Sequence, residues 1–205
     1  MFRCGRKIIP MKHLILFENY RNEHDLETLR DYLIKFNLPV EKWGKGYAKT
    51  LNHLFLEIES GECRLVEENK ILIREIEFVM CQIYYSEGGN ILKLIEEKQV
   101  FIDGRTRVRE KESSVSEKMK IGEDPEESLI RGIEEELGIL LEKNQIIQLD
   151  GVDEDEESQS FPGLMTRYKG HSFECFLNED QFNPKGYVET QKDKKTYFIW
   201  KESTI

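Results

Sequence analysis

The chain has 205 residues, enough for one domain with a modest extension and a proper core, and its hydrophobic fraction of 39% is spread along the whole length, which excludes global disorder. Forty acidic against thirty basic residues give a formal charge of −10, which argues against broad duplex binding through phosphate neutralisation. Cys4, Cys63, Cys81 and Cys175 form no Cys-x-x-Cys pair, so neither a zinc site nor a disulfide framework is indicated.

The N-terminal seventeen residues carry Arg3, Arg6, Lys7 and Lys12 and no acid. That pattern is shared with mitochondrial presequences but lacks their serine content, so a reducing, cytoplasmic setting is the expectation, with organellar targeting as the alternative. No apolar run approaches the roughly 20 residues that span a bilayer. Leu26, Leu29, Leu33 and Phe36 have helical spacing, which Asn37-Leu38-Pro39 ends. A second helix is expected from Thr50, a suitable N-cap, with Leu51, Leu54, Phe55 and Ile58 as its stripe and Gly61 at its exit. These two helices are read as an accessory cap.

From Cys63 to Tyr85 the β-branched and aromatic content predicts one or two strands, and Gly88-Gly89 turns the chain into another around Ile91–Ile95. Asp103-Gly104 is a hairpin signal. The alternating Arg105, Arg107 and Arg109 after it would project from one face of a strand. They suit reception of a phosphate, since arginine binds phosphate in a bidentate way; an edge strand charged against aggregation explains them as well.

Residues 123–139 predict a short acidic helix. Asp124 is a good N-cap, Pro125 fits the first position, Glu127 falls at the third, and Gly138 terminates. Leu129, Ile130, Ile133 and Leu137 share one face and should pack on a sheet. Glu135 and Glu136 point away from it and can approach one hard cation, with Glu123 at the helix entrance. Arg131 is placed to brace Glu135 at i,i+4. Magnesium or manganese is the natural occupant, and its chemistry suits diphosphate hydrolysis. A solvated glutamate face is the plain alternative.

Beyond this helix a strand is expected over Ile146–Val152, then the acidic loop Asp153-Glu154-Asp155-Glu156-Glu157, the turn Phe161-Pro162-Gly163, a strand through Leu164–Leu177, and a last one near Thr196–Trp200. The acidic loop either stays in water or supplies an extra metal ligand. His13, His24, His53 and His171 have no metal spacing, and Trp43 and Trp200 are read as packing contacts.

At the acidic helix the chain resembles the Nudix superfamily. Its box runs Gly, five residues, Glu, seven residues, then Arg-Glu-aliphatic-x-Glu-Glu-x-Gly-aliphatic. Glu123, Arg131, Ile133, Glu135, Glu136, Gly138 and Ile139 stand in register with it. Two positions depart: the opening glycine is Glu117, and the glutamate after the arginine is Gly132. Glu117-Lys118-Met119 and Pro162-Gly163-Leu164-Met165-Thr166-Arg167-Tyr168 also resemble segments of a Nudix-like subgroup from plants, algae and related lineages. Arg167 and Tyr168 there could flank a substrate, with a cross-strand pair as the default.

The resemblance implies an α+β fold: a Nudix-like α/β/α sandwich with a mixed sheet over residues 63–205, with a small helical extension over 1–62. It implies a Mg²⁺- or Mn²⁺-dependent hydrolase of a diphosphate linkage in a nucleoside diphosphate-linked or related molecule. Glu135, Glu136 and Arg131 would be catalytic, and Glu123, Glu135 and Glu136 would hold metal. Arg105, Arg107 and Arg109 would bind substrate. The expected partner is a phosphorylated small molecule, not duplex nucleic acid or a membrane. The loss of a carboxylate at Gly132 keeps open a second reading, a catalytically silent module that binds a phosphorylated ligand, an RNA end or a protein.

Overall fold

The computed structural model describes residues 23–108 and 113–203. The basic N-terminal segment and Arg109 lie outside them. Among the described residues, three α-helices and ten strands form two compact units, one from residues 23–75 together with Asp155–Arg167, the other from residues between Ile76 and Glu154 with those from Tyr168 to Ser203.

In the first unit, α1 (Glu23–Lys35) buries Leu29 and Leu33, and the chain leaves it through Asn37 with φ 58°. Helix α2 (Leu51–Glu59) starts at Thr50, as its sequence predicts. The Thr50 side chain accepts from the His53 N–H, and the Thr50 N–H donates to His53 Nδ1 at 3.1 Å. His53 is thus the reciprocal half of a helix cap. Strand β1 (Arg64–Glu68) turns through Asn69 and Lys70, both at positive φ, into β2 (Ile71–Glu87). The region expected to hold one or two strands holds two in antiparallel register, Glu68 opposite Ile71. Both turn residues adopt the left-handed backbone that a tight hairpin requires, a signal weaker for Asn-Lys than for Asn-Gly.

The acidic run expected as a loop is a strand, β7 (Val152–Glu157), which pairs with β8 (Met165–Phe176). All six β7 residues are exposed, so the carboxylates stay in water while the backbone is paired. Arg167 offsets their charge, with Nε 3.0 Å from Asp155 Oδ1 and Nη1 2.9 Å and 3.0 Å from Glu68 and Glu75. Side-chain charge lowers strand propensity only where it must be buried or faces a like charge. Glu157 accepts from the Gly163 N–H at 2.8 Å, so Asp155 and Glu157 are both engaged within the first unit. Phe161 and Leu164 are fully buried, and Trp43 lies 5.2 Å from Phe161 and donates to the Pro162 carbonyl at 3.0 Å. At Gly163, with φ 86°, a Cβ would come within 2.6 Å of Pro39, so the Pro-Gly-Leu segment is a packing motif.

In the second unit β2 turns through Gly88-Gly89 into β3 (Asn90–Phe101), and Asp103-Gly104 makes the expected hairpin to β4 (Thr106–Val108). There follow β5 (Val115–Lys118), α3 (Pro125–Leu137), β6 (Ile146–Gln148), β8, β9 (Tyr187–Thr190) and β10 (Lys194–Ser203). The strand expected over Ile146–Val152 breaks after Gln148. The chain passes close to β8 at Gly151, where a Cβ would be 2.5 Å from the Gly170 carbonyl oxygen. Strand order is β6-β8-β2-β3-β10-β9, with β5 on β2 and β4 on β3.

The pairings of β2 with β3 and β5, of β10 with β3 and β9, and of β6 with β8 are antiparallel. Between β2 and β8, contacts advance together: Lys169 meets Glu77, Cys175 meets Cys81, Phe176 stacks on Tyr84, and the Leu177 N–H donates to the Tyr84 carbonyl. These two strands therefore run parallel, and the sheet is mixed, as expected. Its core gathers Val79, Cys81, Ile83, Leu94, Val115, Leu129, Ile133, Phe173, Cys175 and Phe198. Each fully buried aliphatic side chain contributes on the order of 2 kcal/mol. Tyr85 stacks on Phe182 at this core, Trp200 packs tilted against Phe182, and Trp200 donates to the Asn183 carbonyl at 2.8 Å. Among the described residues no helix is long and apolar enough to cross a membrane.

Candidate active site

Helix α3 forms where its sequence predicts. Asp124 accepts from the N–H groups of Glu126 and Glu127, Pro125 is the first helical residue, and Gly138 closes the helix with φ 69°. The buried face is Ser128, Leu129, Gly132 and Ile133. Leu129 and Ile133 enter the sheet core, which fixes the rotation of the helix and turns Arg131 and Glu135 toward its other side. Glu135 has a side chain 63% exposed. Glu136 is half-buried.

Arg131 is the hub of the cluster. Its Nε donates to Glu123 Oε1 at 3.0 Å and its Nη2 to Glu123 Oε2 at 3.2 Å, a bidentate pair. Nη2 also reaches the Lys118 carbonyl at 3.4 Å and Ser128 Oγ at 3.3 Å. Nη1 lies 3.4 Å from Glu135 Oε2 and 3.5 Å from Glu117 Oε1. The i,i+4 contact of Arg131 with Glu135 is thus present, but longer than the contacts to Glu123. Glu123 also closes the loop before the helix, accepting from the Lys120 N–H at 2.9 Å and donating its own N–H to the Lys120 carbonyl at 2.9 Å.

Burial of Glu123 favours its protonated form, but the hydrogen bonds from Arg131 and the Lys120 N–H outweigh that and hold its carboxyl below the usual value. The same hydrogen bond raises the Arg131 pKa, against desolvation, with help from the charges of Glu123, Glu135 and Glu117. Glu123 is ionised at neutral pH and orients Arg131.

Glu117 is the residue that sequence reasoning did not place in this cluster. It sits on β5, opposite Val79 of β2, and its side chain lies across the helix at Gly132. A Cβ on Gly132 would be 3.0 Å from Glu117 Cβ and 3.2 Å from its Cγ. The two departures from the box are therefore in contact. The signal was present in the sequence as a paired exchange, glutamate where glycine stands in the box and glycine where glutamate stands.

Arg105 and Arg107 belong to the β3–β4 hairpin. Arg105 Nε donates to Asp103 Oδ2 at 2.7 Å, its guanidinium lies 5.2 Å from the Phe101 ring centre, and Arg107 is opposite Gln99. Both are exposed.

Glu117, Glu123, Glu135 and Glu136 offer only carboxylate oxygens, a donor chemistry suited to a hard divalent cation. Among the described residues no three carboxylate, histidine or cysteine side chains are drawn together as ligands. Three of the acids are instead gathered on Arg131. Glu135, exposed and held by a long contact, is the acid with most freedom to turn toward an ion.

No protein-family model matches the chain, and no curated protein does. Solved structures do. An Ap4A hydrolase of C. elegans is 17% identical, with 62% of this chain and 80% of that one covered and a TM-score of 0.34. A MutT/nudix family protein of Enterococcus faecalis is 13% identical over 89% of this chain and 57% of that one, with a TM-score of 0.43. The NUDIX domain of Shewanella oneidensis NrtR, complexed with ADP ribose, is 8% identical over 62% and 73%, with a TM-score of 0.39. Similarity at this level says nothing about what this chain binds. The capped helix α3, set on a mixed sheet, is the α+β arrangement that the resemblance at residues 117–139 implies.

Proposed function

We propose that the chain is a divalent-metal-dependent hydrolase of a diphosphate linkage in a nucleoside diphosphate-linked or related small molecule. The observation that carries this reading is the set of carboxylates held around Arg131 on a helix whose caps and register are those of the box. In this reading Glu135 and Glu136 hold Mg²⁺ or Mn²⁺ with Glu123 assisting, and such an ion would neutralise phosphate charge and acidify a water. Arg131 sets the directions of the acids. The pairing of Glu123 with both Arg131 and the Lys120 N–H fixes the loop that enters the helix, and Glu135 would turn from its long contact with Arg131 to meet the ion. Arg105, Arg107 and Arg109 would receive phosphate, Arg105 by giving up Asp103.

The test is turnover of a panel of nucleoside diphosphate-linked compounds with Mg²⁺ or Mn²⁺, beside Glu135→Gln/Glu136→Gln. Hydrolysis by the wild type and its loss in the variant support the proposal. Turnover that survives the double substitution contradicts it. The second reading, a silent module that binds a phosphorylated ligand, an RNA end or a protein partner, draws on Gly132 and Glu117, the two departures from the box. It requires binding of panel compounds without turnover.

A further inference from the structure

We infer that Glu117 is the site's displaced carboxylate: the acid absent from the helix at Gly132 is delivered from β5, and Gly132 is glycine because the Glu117 side chain occupies its outer face. This rests on the metal-dependent reading for the role of the carboxylate, though not for the packing.

Three observations converge. Glu117 Cβ and Cγ sit 3.0 Å and 3.2 Å from where a Gly132 Cβ would lie, so any side chain at 132 would press on Glu117 and require it to give by a few tenths of an ångström. Glycine inside a helix is disfavoured, and Gly132 is one of the four buried residues of α3, so a close neighbour is what the position accommodates. The Glu117 carboxylate then continues past the helix to within 3.5 Å of Arg131 Nη1, the nitrogen that also faces Glu135. A carboxylate starting from strand β5 thus reaches the same guanidinium face as one borne by the next turn of the helix.

The exchange has a structural logic on both partners. On β5, Glu117 is in antiparallel register with Val79, between the buried Val115 and Met119, so its backbone is fixed and its side chain has one direction to take. With a glutamate at 132 as well, two side chains would compete for one space and two negative charges would meet. With glycine at both positions, Arg131 would lose one carboxylate neighbour and the surface between β5 and α3 would have a gap. Glutamate at one and glycine at the other is the arrangement that fills the space once, and it works in either order.

The experiment is a double-mutant cycle in the full chain: wild type, Glu117→Gly, Gly132→Glu and Glu117→Gly/Gly132→Glu, with Glu117→Gln as a variant that keeps the side-chain shape. Each is read by melting temperature without metal and by calorimetric titration with Mn²⁺ alone. Gly132→Glu alone should lower the melting temperature by several degrees, and the double variant should recover it. Glu117→Gln and Glu117→Gly should weaken Mn²⁺ binding about tenfold or more, and the double variant should restore it. Wild type that binds Mn²⁺ with Glu117→Gln binding equally well overturns the role of Glu117 and leaves the metal-dependent reading standing. A wild type that binds no Mn²⁺ overturns both. Additive melting temperatures across the cycle overturn the packing.

Discussion

Replacing Gly132 by alanine is a test in which two known effects oppose one another. Alanine in place of a helical glycine ordinarily stabilises by about 1 kcal/mol. Here the added Cβ would stand 3.0 Å from Glu117 Cβ, an atom close to a strand backbone and unable to swing aside. Overpacking of this kind costs about 1–3 kcal/mol, so Gly132→Ala should be neutral or destabilising in the wild type. In a Glu117→Gly background the obstacle is gone and the same substitution should stabilise by about 1 kcal/mol. The coupling between the two sites is then about 1–3 kcal/mol. With a urea dependence of about 2 kcal/mol/M, that separates the two effects of the alanine by about 0.5–1.5 M in unfolding midpoint. Four midpoints settle it. If Gly132→Ala stabilises both backgrounds to the same extent, Glu117 does not lie over Gly132 and the reasoning fails.

Three further outcomes are expected. Glu123→Gln should cost about 2 kcal/mol at pH 7, because it weakens the bidentate pair with Arg131. The folded carboxyl has a lowered pKa, so its contribution is present above the ordinary carboxylate range near about 4.3 and is lost as pH falls through the folded value. Wild type and variant should therefore converge in acid, and a gap that persists unchanged well below that range would refute it. Arg167→Met should destabilise by about 2 kcal/mol in urea, since it leaves Glu68, Glu75 and Asp155 without their shared cation; an unchanged midpoint would show the network to be idle. Cys81 and Cys175 lie with sulfurs 3.2 Å apart in the core, and burial raises the Cys81 thiol well above its ordinary pKa. Iodoacetamide at pH 8 should label them only after denaturation, as read by mass spectrometry, and rapid labelling of the folded chain would contradict their burial.

How much of this was legible in the sequence depended on the range of the interaction responsible. The α3 boundaries are written in Asp124, Pro125 and Gly138, whose effects reach no more than four residues, and they appear where expected. The start of α2 at Thr50 is local in the same way. The 153–157 run was misread because its charge argued for a loop, whereas what stabilises β7 comes from Arg167, twelve residues on, and from its backbone pairing with β8. The strand beginning at Ile146 is shorter than its composition predicts, because the close approach of Gly151 to Gly170 depends on tertiary packing. At the site, Arg131 and Glu135 could be placed by helical spacing, and Glu123 by its position just before the N-cap Asp124. Glu117 could not, since its approach to Gly132 depends on how β5 pairs with β2 and how α3 seats on the sheet.

The central claim, that the acids around Arg131 serve a divalent cation, is tested most directly by the melting temperature of the wild type and of Glu135→Gln/Glu136→Gln as Mn²⁺ is raised. A ligand that binds the folded state stabilises it by about 2.7 kcal/mol at a hundred times its Kd. For a chain of this size that corresponds to a rise of roughly 5–10 °C. The account predicts that rise in the wild type and little or none in the double variant. Equal curves for the two proteins, whether both rise or both stay flat, would contradict it.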